Sequence, residues 1–178
     1  MVLRAFHQTT PTLGKRVFID DSAIVTGNIT IGDDSSVWPL CSLRGDLLSI
    51  TIGNNTNIQD GTVIHTSHAS QFQKAAQVII GNNVTVGHKA MVHGCTIHDT
   101  SLIGMGAIVL DHAVIESYVI LGAGSVVGPG KVLESGYVWR GCPARKARSL
   151  TQDERTFLTY SAESYVRLKN QHMHDQPL

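Results

Sequence analysis

Aliphatic residues return at every sixth position through most of this chain, a period that neither an α-helix nor an ordinary strand sustains. They stand at Ile19, Val25, Ile31, Val37 and Leu43, then at Ile52, Ile58 and Ile64, then at Ile80, Val86 and Val92. A last run goes from Ile97 through Ile103, Val109, Ile115, Leu121 and Val127 to Leu133. Gly follows several of them, as in Ile31-Gly32, Ile52-Gly53, Ile80-Gly81 and Val127-Gly128. Hexapeptide repetition of this kind is the mark of a parallel β-helix. Val and Ile favour pleated backbone, and Gly at this frequency would weaken a helix. Asp33-Asp34, Asn54-Asn55 and Asn82-Asn83 punctuate the repeat with residues that tolerate the left-handed backbone of a corner.

The register breaks three times. About three residues are extra between Leu43 and Ile52, about ten between Ile64 and Ile80, and one is missing between Val92 and Ile97. The ten-residue excess lies in the polar stretch 66–78, which must leave the solenoid wall. The pattern predicts a mainly β fold: an N-terminal extension at 1–16, a β-helix domain at 17–140, and a C-terminal segment at 141–178. That last segment opens with the turn Gly141-Cys142-Pro143-Ala144 and then the capping-box signature Thr151-Gln152-Asp153-Glu154, which starts an α-helix. Phe157, Leu158, Ser161, Ala162, Tyr165, Val166, Leu168 and Lys169 give the helix a mostly apolar stripe, to be laid along the solenoid or on a neighbouring chain. From His172 the tail reads as frayed.

Composition narrows the function. Lys plus Arg and Asp plus Glu both number 14, so no net field favours nucleic acid or an anionic membrane. No apolar run reaches the roughly 20 residues of a membrane span, and residues 1–10 lack the apolar core of a signal peptide. Cys41, Cys95 and Cys142, odd in number and without C-x-x-C spacing, suit reduced thiols and a cytoplasmic protein. Cys95, a small residue beside the repeat, reads as packing rather than a metal ligand.

Three hexads to a coil place residues 18 apart directly above one another. Ile64 and Val92 are 28 apart, ten of them in the extruded loop, so His65 and His93 share a column on consecutive coils. Neighbouring strands lie about 4.7–4.9 Å apart. Two nitrogens on one tetrahedral zinc need only roughly 3.3 Å between them, within reach of small side-chain rotations. The same excision puts Arg44 one coil below His65 and Asp60 beneath His88. His88 lies five residues before His93, nearly one side of the triangle away. If all three histidines hold one ion, His88 most simply comes from a second subunit, and a homotrimer with a metal at each interface supplies every ligand. Arg44-Gly45-Asp46 and Gln59-Asp60 also fit an interface ion-pair network.

Leu43-Arg44-Gly45-Asp46, Asn57-Ile58-Gln59-Asp60, Ile64-His65-Thr66-Ser67-His68, Val86-Gly87-His88 and Met91-Val92-His93-Gly94 together resemble the γ-class carbonic anhydrase family, in matching order from about Val17 through Tyr165. The resemblance implies a left-handed β-helix, a C-terminal helix and a homotrimer. It implies zinc held by His65 and His93 of one subunit and His88 of the next, an intersubunit Arg44–Asp46 ion pair, and Asp60 at the interface or just behind the metal. Gln59 would hydrogen-bond the solvent on zinc. Tyr165 matches a tyrosine that reaches the active site in some members, and fits equally as a core aromatic. The implied reaction is hydration of carbon dioxide to bicarbonate by zinc-activated water. The most active members of the family shuttle the proton through acidic residues in an extended loop. Here 66–78 holds no Asp or Glu, and Leu47-Leu48 follow Asp46, leaving His68 as the candidate shuttle. Imidazole ligands suit zinc, iron or cobalt alike. Two other functions fit the same solenoid: a hexapeptide acyltransferase, and a non-catalytic, metal-stabilised trimeric scaffold.

Overall fold

The structure is a computed structural model that describes residues 2–175. Its aliphatic columns run unbroken through the repeat. On one face Val25, Leu43, Ile64, Val92, Val109 and Val127 stack in register. On a second the column is Leu13, Ile31, Ile52, Ile80, Ile97, Ile115 and Leu133. On the third it is Ile19, Val37, Ile58, Val86, Ile103, Leu121 and Trp139. Every one of these ladders is parallel, and the columns meet in a single buried core. The first two faces join into one sheet because the strands Ile24–Ile31 and Ser42–Ile52 continue around a corner.

The corners are built by the residues the repeat places there. The Asp33 carboxylate accepts from Lys15 N, and Asn54 Oδ1 from Asp33 N. Asn82 Oδ1 accepts from Asn54 N in turn, and the Asp99 carboxylate from Asn82 N, at 2.7–2.8 Å throughout. The next residue of each corner takes positive φ: Arg16, Asp34, Asn55, Asn83 and Thr100. This ladder satisfies backbone donors that the turning chain would otherwise leave unpaired.

All three register breaks fall where the sequence puts them. Gly27 pairs with Gly45, but Ile29 pairs with Ile50, which places the three extra residues in a bulge between Gly45 and Ile50. The long loop is pinched at its base by an antiparallel bridge between Ser67 and Ala76. Val92 pairs with Val109, 17 rather than 18 residues on. The solenoid also starts earlier than the hexads suggest. Val2–Arg4 pairs with Ile24–Thr26 and Thr12–Leu13 with Thr30–Ile31, so this stretch forms the first coil. A tight Phe6–Thr9 bridge between its two strands masks the repeat there.

At the other end Arg145–Ser149 pairs antiparallel with Tyr137–Arg140 and ends the stack. The helix Gln152–Asp175 then turns back across Phe18–Ile19, Ser36–Val37, Asn57–Ile58 and Thr85–Val86. Its capping box is formed in both directions: Thr151 Oγ1 accepts from Glu154 N at 3.1 Å, and Glu154 Oε2 accepts from Thr151 N at 2.9 Å. Thr151→Ala is therefore expected to cost about 1 kcal/mol, read as a lower urea midpoint at unchanged slope. Leu158, Ser161, Ala162 and Lys169 form the buried side, whereas Phe157 and Leu168, counted in the apolar stripe, are exposed. The helix does not fray at His172, whose ring packs against Phe18 and Trp38. Among the described residues no helix is long and apolar enough to cross a membrane.

Candidate metal centre

His65 and His93 pair directly across adjacent coils, with Arg44 one coil below His65. Their side chains alternate with the buried Ile64 and Val92 and so project from the first face. His65 Nδ1 stands 3.2 Å from His93 Nε2. Each ring is tied back on its far side. His65 Nε2 lies 3.0 Å from Asp46 Oδ1, and His93 Nδ1 lies 2.5 Å from Asp111 Oδ1.

Those carboxylates decide the tautomers. An ionised carboxylate only accepts, so each imidazole presents its N–H to its Asp and turns its lone pair inward. Two lone pairs then face each other at the separation that two nitrogens on one tetrahedral ion require, roughly 3.3 Å. Left alone they repel; a cation between them removes the conflict. Burial lowers the His65 pKa against the opposing pull of Asp46, which keeps the ring in the neutral, ligating form. Burial raises the Asp46 pKa, but hydrogen bonds from Arg44 and His65 outweigh it and hold the carboxyl below its usual value. Arg44 Nη1 donates to Asp46 Oδ2 at 2.6 Å within the chain.

The hexad spacing does not point to Asp111. The ladder ends with Val92 opposite Val109, so Asp111 stands two residues past its last pair while His93 stands one past. Gly94 makes the contact possible. Its φ is +51°, and a Cβ there would fall 2.2 Å from Asp111 Oδ1. The sequence signal was the missing residue between Val92 and Ile97, which tightens this coil against the next. If a metal ion binds between the two rings, Asp111→Ala is expected to lower its affinity by about 10–100-fold with the coil intact, measured by chelator competition.

His88 stands apart from this pair. Its Nδ1 lies 2.9 Å from Asp60 Oδ2, at a half-exposed position. Among the described residues no group of three or more His, Cys, Asp or Glu converges on one point. His88 instead lines a cavity of about 430 Å³ between the helix and the third face, together with Gln59 and Tyr165. Gln59 is buried, and its Nε2 donates to Asn57 Oδ1 at 3.0 Å. Tyr165 packs edge-on against Trp38 and also borders the cavity. Burial and the nearby Asp60 charge raise its phenol pKa. His68 is exposed at the start of the extruded loop, where Gln73 Nε2 donates to its carbonyl oxygen at 3.3 Å. Cys95 is buried in the core, as its packing role requires.

Residues 94–129 match the family described as Bacterial transferase hexapeptide (six repeats). The chain is 46% identical over 173 residues to Protein YrdA of Escherichia coli K12, covering 97% of this chain and 94% of YrdA. It is 40% identical over 156 residues to the "Probable carbonic anhydrase" of Methanocaldococcus jannaschii, covering 88% of this chain and 94% of that protein. It is 43% identical over 162 residues to Gamma carbonic anhydrase 2, mitochondrial, of Arabidopsis thaliana; that match takes in 91% of this chain and 58% of the longer plant protein. Among solved structures, a hexapeptide transferase family protein from Anaplasma phagocytophilum superposes with a TM-score of 0.89 at 38% identity, over 95% of this chain and 96% of the other. Stacked coils, histidines in register and extended identity to these relatives establish that the chain belongs to the γ-class carbonic anhydrase-like branch of the hexapeptide-repeat family.

Proposed function

We propose that this protein is a zinc-dependent carbonic anhydrase-like enzyme that hydrates carbon dioxide to bicarbonate, as a homotrimer with one site at each subunit interface. The observation that carries the reading is the 3.2 Å approach of His65 Nδ1 and His93 Nε2, each ring locked by a carboxylate behind it. Two imidazoles of one chain are an incomplete set for catalytic zinc, which takes three protein ligands and leaves one position open. His88 of a neighbouring subunit completes it. A surface suited to that neighbour borders the histidine column: Val63, Met91, Ile108 and Val126 form an outward apolar row on the same face, Met91 exposed and the others half-buried. Apolar rows of this kind mark contact surfaces. Iron or cobalt would fit the same imidazole set.

Zinc so held would supply Lewis acidity, which in carbonic anhydrases brings the pKa of water from 15.7 to about 7. The chain's own residues do the rest. Asp46 and Asp111 fix the two ligand rings and raise their basicity. Gln59 lines the cavity and has a second amide hydrogen beyond the one given to Asn57, which in this reading orients the attacking oxygen or steadies the developing charge. Tyr165 adds a hydroxyl to the wall where the substrate would sit. With no acidic residue at 66–78, the proton leaves through His68 or directly to solvent. Burial pushes the thiol of Cys41 up to about 11 and that of Cys95 to about 12, so both stay protonated. All three cysteines are free.

The test combines metal analysis of anaerobically purified protein with stopped-flow carbon dioxide hydration. The expected result is close to one metal per chain and hydration above the uncatalysed rate. Metal-replete protein without hydration would refute the activity. The apolar cavity beside the helix favours one competing reading, an acyltransferase. Tight acetyl-coenzyme A binding by a zinc-free preparation would select it.

A further inference from the structure

The cavity beside His88 is far larger than carbon dioxide needs. At about 430 Å³ it falls within the range of roughly 300–1,000 Å³ typical of sites for small organic ligands. It exists because the helix covers only part of the third face. Phe18, Ser36, Asn57 and Thr85 lie buried along the helix path, and the Thr85–Ser161 hydroxyl contact at 2.9 Å is the last bridge. Beyond it Leu102 and Ile120, the next outward residues, are only half-buried and open into the gap. Phe157 forms the opposite wall. Gly104 and Gly122 also line it, and Gly104 lets its coil stack closely on the next, since a Cβ there would lie 2.5 Å from Ala123 N. The polar groups gather around Gln59, His88 and Tyr165, the residues assigned above to the reaction.

We propose that this cavity binds the hydrocarbon tail of an aliphatic carboxylate, whose head group occupies the bicarbonate position beside Gln59 and His88. The inference rests on the carbonic anhydrase reading and extends it to a second class of ligand. Bicarbonate and a carboxylate share a planar CO₂⁻ group and differ in the third substituent, a hydroxyl in one and an alkyl chain in the other. A site that accepts the first next to an apolar cavity accepts the second with its chain in that cavity. Asp60, the acidic partner of His88, is engaged by Nδ1 of that ring. Each methylene moved from water into such walls strengthens binding roughly fourfold.

Acetate, butyrate, hexanoate and octanoate, titrated calorimetrically into zinc-loaded protein and into protein stripped with a chelator, test this. Affinity should rise about three- to fourfold per methylene until the cavity is filled, and stripping should weaken every member while preserving the slope. Ala123→Phe, at an exposed corner on the rim, should flatten the series and leave acetate unchanged; Met105→Trp, also exposed, serves if the first variant folds poorly. A flat series in both forms of the wild-type protein overturns the proposal and leaves the metal assignment standing. A steep series that neither variant flattens also overturns it, because the tail then lies elsewhere. A steep series indifferent to zinc supports the tail site and overturns the placement of the head group at the bicarbonate position.

Discussion

Replacing His88 with alanine is expected to leave the solenoid folded, reduce zinc affinity by more than about a hundredfold, and return carbon dioxide hydration to the uncatalysed rate. The magnitude exceeds the 10–100-fold that follows loss of a group behind a ligand, because the proposed site loses a ligand itself. The fold survives because the His88 side chain is 43% exposed and the carboxylate it meets, that of Asp60, is 45% exposed. Circular dichroism, chelator competition and stopped-flow hydration, run on one preparation, separate these effects. His65→Ala should resemble it in metal loss but carry an added cost, since Asp46 would keep only its Arg44 partner.

The second large effect lies far from the histidines. Lys169 is wholly buried under the helix, where Nζ donates to Arg16 O at 2.7 Å, Asn170 Oδ1 at 2.7 Å and Asp34 Oδ1 at 3.1 Å. One side chain thereby pins the C-terminal helix to the first corner of the solenoid. Lys169→Ala removes a partner from a buried polar cluster and leaves Arg16 O without that donor, a change that costs about 3–5 kcal/mol in comparable sites. Helix undocking, seen as faster amide exchange across the helix, should precede global unfolding. The same cluster sets an acid limit. The Arg16 hydrogen bond, opposed by burial and aided by Lys169, lowers the Asp34 pKa from its ordinary 3.8 to about 2. A depressed carboxyl pKa contributes stability that is complete above its unfolded value and disappears as pH falls through the folded one. The corner, and with it the smaller Lys169 tie to the helix, is therefore expected to weaken between about pH 4 and pH 2, and Asp34→Asn to remove that dependence.

The repeat made the architecture readable because a solenoid converts spacing into position. Correcting the count for the loop and the bulge was enough to set His65 opposite His93 and Arg44 below His65. Asp111 escaped for the converse reason: it lies off the column and reaches His93 only through the space that Gly94 leaves. The first coil escaped because a hairpin-like bridge at Phe6–Thr9 interrupts its spacing. Lys169 was visible as a member of the helix stripe, but which atoms its ammonium meets depends on how a helix more than 100 residues later crosses the first corner. His172 likewise gained its place from Phe18 and Trp38, contacts that no local pattern announces. The columns are short-range arithmetic; these contacts are long-range docking.

A site divided between chains makes one demand that no single-chain site makes. Protein carrying only His88→Ala and protein carrying only His65→Ala should each be inactive and metal-poor. In a cyclic assembly every interface joins one patch of a subunit to a different patch of the next. Dissociating the two variants and reassociating them in equal amounts should rebuild intact sites where unaltered halves meet, about one quarter of all interfaces under random assortment. Zinc binding and carbon dioxide hydration should return together to about that fraction of wild type. Mixed oligomers that form in the expected proportions yet recover neither metal nor activity would contradict a centre shared between subunits.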